Sequence, residues 1–263
     1  MEESIVIEIV NQIKRKHRYM GVRKIYQLLQ PELLEHSIKM GRDALFNLLW
    51  MNGMLIRKKR RKQTTDSNHV NKIYDNLLKE RTATGPKQIL VSDITYIAIK
   101  NGFAYLSLVT DAYSRKILGY CVSKTLHTES TVNALLMAVK DITADENTIH
   151  HSDRGIQYSS RQYTDILKDL GITISMSRRG EPIDNAIAER VNGIIKHEYL
   201  KGQSFDSLEE VEKAIKIAID LYNNERPHLS CGMLTPSEAH RGEIELTRLW
   251  KNKYKTSYYD ASN

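Results

Sequence analysis

The chain has 263 residues, 41% of them hydrophobic and 27% charged, with 39 Lys and Arg against 32 Asp and Glu for a net charge of +7. That length buries one sizeable core and leaves chain for a smaller unit. Two widely separated cysteines, Cys121 and Cys231, exclude a disulfide scaffold and a Cys-rich zinc site.

Charge divides unevenly. Residues 1–62 carry fourteen Lys and Arg against six Asp and Glu, net +8, which leaves −1 for the rest. A basic appendage on a near-neutral body points to a polyanionic partner, most simply nucleic acid, although a solvated basic surface has the same composition. The opening MEESIVIEIV is acidic, and no apolar run reaches bilayer length. The expectation is a cytoplasmic protein with no membrane partner.

In chain order, Ile5, Ile9 and Ile13 recur every four residues, and Val22, Ile25, Tyr26 and Leu29 repeat the helical stripe before Pro31. A third helix, about Arg42 to Met51, carries Leu45, Phe46, Leu48 and Leu49 and stops at Asn52-Gly53. The run Arg57, Lys58, Lys59, Arg60, Arg61, Lys62 follows. Residues 1–62 therefore read as a small all-α, helix-turn-helix-like DNA-binding domain with a basic strap for phosphates; a plain bundle with a charged linker is the alternative. Residues 63–85 read as a linker with one helical patch near Ile73–Leu78.

From Gln88 the period becomes two. Ile89, Val91, Asp93, Thr95, Ile97 and Ile99 share one face and Leu90, Ile94, Tyr96 and Ala98 the other, so this strand belongs in the middle of a sheet. Asn101-Gly102 signals a hairpin into FAYLSLVT, and a turn at Asp111–Arg115 leads to KILGYCVS. Thr128 is placed to cap a helix with the stripe Val132, Leu135, Leu136 and Val139. A short strand then ends at Asp153, Ser159 or Ser160 opens a helix that closes at Gly171, and Ile172–Ser175 forms a fifth strand. The order βββαβαβα predicts an α/β domain with a mixed five-stranded sheet, functional residues lying at strand ends.

In the last helix of that series, with Asp184 as its N-cap, Ile183, Ile187, Val191 and Ile194 form one stripe and Glu189 falls opposite. Lys196, seven residues after Glu189, shares the outward face. A solvated surface helix is the plain alternative. Asp93, however, sits in a strand apolar on both faces, where an unpaired carboxylate is costly. The topology brings Asp153 beside it, and two carboxylates that close repel unless a cation lies between them. Two aspartates and an exposed glutamate make an all-oxygen ligand set suited to two Mg²⁺ (or Mn²⁺) ions, which clamp the attacking and leaving oxygens of phosphoryl transfer.

Thirty-five residues separate Asp153 from Glu189, with DITY at Asp93, HSDRGIQY at Asp153 and DNAIAER at Glu189. On these motifs the chain from about Val22 to Arg241 resembles the second-frame transposases of bacterial insertion sequences of the IS-three family, whose catalytic core is shared with retroviral integrases. The resemblance implies an RNase H-like (retroviral-integrase-type) fold and a DDE polynucleotidyl transferase. Asp93, Asp153 and Glu189 fall on its metal-binding triad, and Lys196 on a basic residue expected to hold DNA near the scissile phosphate. Tyr222-Asn223, Arg226-Pro227-His228 and Thr235-Pro236 also match, after a helix opened by Ser207-Leu208-Glu209-Glu210. Leu90 stands where the family usually has Trp, which reads as a packing swap. No His/His/Cys/Cys zinc module is present.

The implied reaction is metal-dependent cleavage at the element's ends followed by strand transfer, with no covalent protein–DNA intermediate. Implied partners are DNA, as terminal inverted repeats and target, a second copy of the chain on that DNA, and a first-frame product, separate or fused by frameshift. The implied location is the bacterial cytoplasm, at the nucleoid. The domain boundaries so read are 1–62, 63–85, a catalytic core at 86–202 and a helical extension and tail at 203–263. Arg178 and Arg179, in a basic loop before the catalytic helix, are candidate DNA contacts, with a solvated loop as the alternative. His151 and Ser152 flank Asp153; His151 reads as a packing or orienting neighbour, with a metal ligand or a phosphate contact as the alternatives, and Gly155 and Gln157 read as residues that shape the loop. The rivals are an RNase H-like nuclease without strand transfer and a catalytically dead DNA-binding relative.

Overall fold

The computed structural model describes residues 2–56, 72–79, 81–142, 147–178 and 185–246. Three helices open the chain, α1 (Glu2–Lys16), α2 (Val22–Glu35) and α3 (Arg42–Met51), packed around Val6, Val10, Ile25, Leu29, Leu45 and Leu49. Glu2 and Glu3 in the first turn of α1 and Lys14, Arg15 and Lys16 in its last turn complement the helix dipole. Gly53, at φ +64°, turns the chain away after α3. The helix expected to stop before Pro31 runs on to Glu35. Pro31 lies on the exposed face, where water satisfies the carbonyl that its ring leaves unpaired, and burial of Leu33 rewards the extra turn. The basic run Arg57 to Lys62 lies outside the described residues.

Five strands, β1 (Ile89–Ile99), β2 (Gly102–Asp111), β3 (Ile117–Ser123), β4 (Ile149–Ser152) and β5 (Thr173–Met176), form one sheet in the order β3-β2-β1-β4-β5. The first three are antiparallel; β4 runs parallel to β1, and β5 to β4. Helices α4 (Thr128–Val139) and α5 (Arg161–Asp169) cover one face, burying Val132, Leu135, Tyr163 and Leu167 against Leu90 and Val109. The other face is covered by α6 (Ala186–Ile194), its continuation Ile195–Tyr199, and α7 (Leu208–Asn224), which bury Ile194, Ile195, Val211, Ile215 and Tyr222 against Leu106 and Leu108. The expected mixed five-stranded sheet flanked by helices is what forms. None of the described helices is long and apolar enough to cross a membrane.

Several local expectations shift. Ile99 pairs with Gly102, so the hairpin turn is Lys100-Asn101 and Gly102, at φ +127°, is the first paired residue after it. The cap of α4 is His127, and Thr128 is the first helical residue. Leu136 is exposed, and Ala134 and Ala138 take its place in the core. The reason is close approach: a Cβ on Gly119 of β3 would lie 2.0 Å from the Ala134 carbonyl oxygen, so only small residues fit between α4 and the sheet. Ser160 caps α5, accepting from Tyr163 N. Residues 72–79 are not helical; the Asp75 carbonyl accepts from Met176 N at 3.3 Å, and Leu77 N donates to Ser175 Oγ at 3.0 Å. That segment borders β5 and contributes Leu77 and Leu78 to a core cluster with Ile89 and Val91.

Residues after α6 clasp the body together. Asn223 brackets the Ile117 backbone, accepting from its N–H and donating to its carbonyl, each at 3.0 Å. The short helix α8 (Pro236–His240) opens with a complete capping box between Thr235 and Glu238. Its His240 Nδ1 lies 3.1 Å from both Asp111 Oδ2 and Ser114 Oγ. Because one nitrogen faces both oxygens, and Ser114 donates directly to Asp111, this is a clamp on the β2–β3 turn and not a proton relay. Arg226 donates to Glu198 through Nε and Nη2 at 2.8 and 2.9 Å, and Lys24 Nζ of α2 reaches the same carboxylate at 3.4 Å. Glu198 thus joins the N-terminal helices, the continuation of α6 and the chain after α7.

Candidate active site

β1 has eleven residues and β4 only four, and β4 pairs with β1 at Ile89, Leu90 and Val91 alone. Beyond that point no strand among the described residues lies beside the β4-side edge of β1. Side chains of α6 and its continuation occupy the edge instead. Asn185 Nδ2 donates to the Ser92 carbonyl at 3.1 Å, Asn192 Nδ2 to Asp93 Oδ2 at 2.8 Å, and Lys196 Nζ to Thr95 Oγ1 at 3.1 Å. The helix widens there, with Leu200 N bonded to the Ile195 carbonyl five residues back.

Asp93 is where the edge opens. Since Val91 is level with His151 in a parallel pairing, Asp153, just past the end of β4, arrives level with Asp93. Burial, and then the Asp153 carboxylate, push the Asp93 carboxyl up to about 7; Glu189 adds a smaller push, and the bonds from Asn192 and Ile94 N partly offset them. Asp153 Oδ1 accepts from Gly155 N at 2.9 Å, and a Cβ on Gly155 would lie 2.9 Å from that same oxygen, so a side chain there would displace the carboxylate. Gln157 anchors the loop by donating to the Leu126 carbonyl at 2.7 Å.

Glu189 is in the first turn of α6, on its exposed face, with Ala188, Val191 and Ile194 buried. The expected cap Asp184, and Ile183, lie outside the described residues; the N-cap is Asn185, whose side chain turns to β1 instead. Lys196, expected on an outward face, is half-buried over the edge of β1, its ammonium 4.1 Å from the centre of the Tyr96 ring. Arg178 is exposed just beyond β5, and Arg179 lies outside the described residues. Among the described residues no three His, Cys, Asp or Glu side chains are gathered closely enough to hold a metal ion. Asp93 and Asp153 are together, while Glu189 acts on Asp93 only as a lesser influence. The site nonetheless fits a hard divalent cation. Its donors are all carboxylate oxygens, and a half-buried aspartate driven toward neutrality by desolvation and a second carboxylate keeps its charge only when a cation balances it.

Several residues of this site are missing from the sequence reading. Asn185 and Asn192 are two; the available signal was an Asn three residues after Glu189, inside a helix where Asn is otherwise a poor choice. A third is the network below Asp93, in which His150 Nε2 lies 2.8 Å from Ser92 Oγ and 2.9 Å from the Tyr163 hydroxyl. Burial lowers the His150 pKa to about 3, so the ring is neutral and locks β1, β4 and α5 together. His151 packs as expected, its Nδ1 2.8 Å from Ser175 Oγ on β5.

This sheet order, with helices on both faces, is the RNase H-like fold. The chain superposes with a TM-score of 0.53 on a chain of the simian T-cell lymphotropic virus intasome, at 18% identity over 87% of this chain and 76% of that one. The Integrase core domain family matches residues 83–182, and a second family of the same description matches 170–236. The chain is 36% identical to the IS600 31 kDa protein of Shigella sonnei over 90% of its length and 86% of the relative's. It is 32% identical to the IS629 transposase of Shigella sonnei, over 89% and 78%, and 33% identical to the putative IS986/IS6110 transposase of Mycobacterium tuberculosis, over 88% and 86%. The chain belongs to the insertion-sequence transposases that carry an integrase core, a family of DDE polynucleotidyl transferases.

Proposed function

We propose that the chain is the second-frame transposase of an IS-three-type element, and that Asp93, Asp153 and Glu189 are its catalytic carboxylates. These three would hold two Mg²⁺ or Mn²⁺ ions, which when bound supply charge neutralisation at the scissile phosphate and a more acidic attacking water. Asn192 orients Asp93, and the Gly155 amide orients Asp153. Lys196, projecting over the strand edge, takes a DNA phosphate beside the reacting one. Arg178 and Arg179 are further phosphate contacts, as are Arg57, Lys58, Lys59, Arg60, Arg61 and Lys62 at the end of a DNA-binding unit spanning 1–62. On this reading 63–85 links that unit to the catalytic core at 86–202, and 203–263 is an extension. The substrates are the element's terminal repeats and target DNA; the assembly is a homo-oligomer on DNA, with or without the first-frame product, at the nucleoid.

The observation that carries this reading is the coupling of Asp93 to Asp153 where β1 loses its strand neighbour. The test is a labelled duplex carrying the element's end, incubated with Mg²⁺ and an unlabelled target. The wild-type chain is expected to nick the end and join it to the target, and Asp153→Asn to do neither. Cleavage without joining would favour the nuclease; joining by Asp153→Asn would remove Asp153 from the site.

A further inference from the structure

Past Asp93 the β1–β2 hairpin carries two aromatic rings that no part of the reaction above uses. Tyr96 on β1 and Phe103 on β2 are 51% and 50% exposed. Their centroids are 5.3 Å apart, with ring planes at 80°. Tyr96 pairs with Tyr105 and Ala98 with Phe103, so the two rings meet diagonally across the hairpin on one face. The helices that bury this face farther up leave it uncovered here, and Ala98 beside the rings is exposed too. The Lys196 ammonium is held between the Thr95 hydroxyl and the Tyr96 ring. Cation, ring and ring thus form a row that starts at Thr95, about 7 Å along the strand from Asp93, and passes round the strand edge to the opposite face of the sheet.

A half-exposed aromatic pair at a hairpin tip is sometimes only a cross-strand contact. Here its position and neighbour argue for more. A cation beside exposed rings is the combination that binds single-stranded nucleic acid, the cation taking the phosphate and a ring taking the base. A base reaches such a ring only once it has left the duplex stack. We propose that Tyr96 and Phe103 form a stacking platform for an unpaired nucleobase of the strand whose phosphate Lys196 holds. The proposal rests on the transposase reading of the neighbouring carboxylates. It adds that the strand is bound there with at least one base unpaired, and that the face needs no particular base, because every base presents a stacking surface.

The test compares binding of the full-length chain, with Ca²⁺ in place of Mg²⁺, to a short blunt duplex and to the same duplex with a single-stranded 5′ overhang. The first unpaired base of the overhang is the fluorescent analogue 2-aminopurine. The wild-type chain is expected to prefer the overhang about ten-fold and to quench the analogue by stacking. Tyr96→Leu with Phe103→Leu is expected to bring the ratio of the two affinities near one and to abolish quenching, while Tyr96→Phe keeps both. A wild-type chain that binds both duplexes equally, with no quenching, overturns the platform and leaves the transposase reading standing. The same holds if the double variant keeps the preference. Binding of neither duplex by the wild-type chain overturns the DNA reading and the platform together.

Discussion

The two halves of β1 are built on different principles. From Ile89 to Val91 the strand has paired strands on both sides, and every residue from Ile89 to Ser92 is buried. From Asp93 to Ile99 it has β2 alone, Ile97 is its only buried residue, and its free edge is met by Asn185, Asn192 and Lys196. The first half obtains its order from apolar packing, which is strong and indifferent to direction. The second obtains it from a few directed polar contacts, each worth little net and each costly to leave unpaired. A reacting site needs the second kind, because substrate and cation must enter where the side chains converge. The rigid upper half is what keeps that lower half in place.

If the halves divide the work in this way, substitutions in each should fail differently. The largest effect belongs to Asp93→Asn, at the junction. End cleavage and joining should fall by about a thousand-fold or more, while thermal unfolding moves little, since Asn fills the same space and sheds a carboxyl already driven toward neutrality. Retained joining would break the comparison at its centre. Next is Arg226→Gln, which leaves Glu198 without its bidentate partner and should cost about 3–5 kcal/mol in chemical denaturation. Replacing both residues by Leu should cost much less. In the buried half, Leu90→Ala should cost about 2–5 kcal/mol of stability while activity per folded molecule stays near normal. Loss of chemistry in a fully folded Leu90→Ala chain would show that the halves are not separable.

The smallest effect concerns pH. Burial, and then Arg226, lower the Lys24 pKa to about 8, because Arg226 already balances the Glu198 charge that Lys24 shares. Between about 8 and the ordinary lysine value the unfolded chain holds a proton that the folded chain does not, so this residue makes stability rise with pH across that window. Below it the cost of burying the charge is present in full. Melting temperatures from pH 7 to 10 should therefore climb in the wild type relative to Lys24→Met; parallel curves would remove the effect.

Much of this arrangement is legible in the chain. Period-two patterning marks β1 as central, and Asp93 stands out as a carboxylate in an otherwise apolar strand. The parallel crossover then brings Asp153 to it. What escapes the sequence depends on distances it does not encode. Leu136 satisfies a helical stripe, yet the approach of α4 to Gly119 selects Ala134 and Ala138 instead. Pro31 looks like a stop, yet its solvent-facing position lets α2 continue. Asn192 looks like a solvated helix position until β4 proves too short to cover β1, which leaves an edge that a helical side chain reaches. The proposed triad rests on spacing and resemblance; the distance of Glu189 from the aspartates is not written in any local pattern.

The carboxylate of Glu198 also sets a timetable. Lys24 precedes it by 174 residues, so at roughly 5–20 residues per second of synthesis the Lys24 ammonium waits roughly 9–35 s for the carboxylate it faces in the folded chain. Arg226 comes later still. Through that interval the Lys24 ammonium lacks its carboxylate, so the opening helices complete their docking only after all five strands of the sheet have been made.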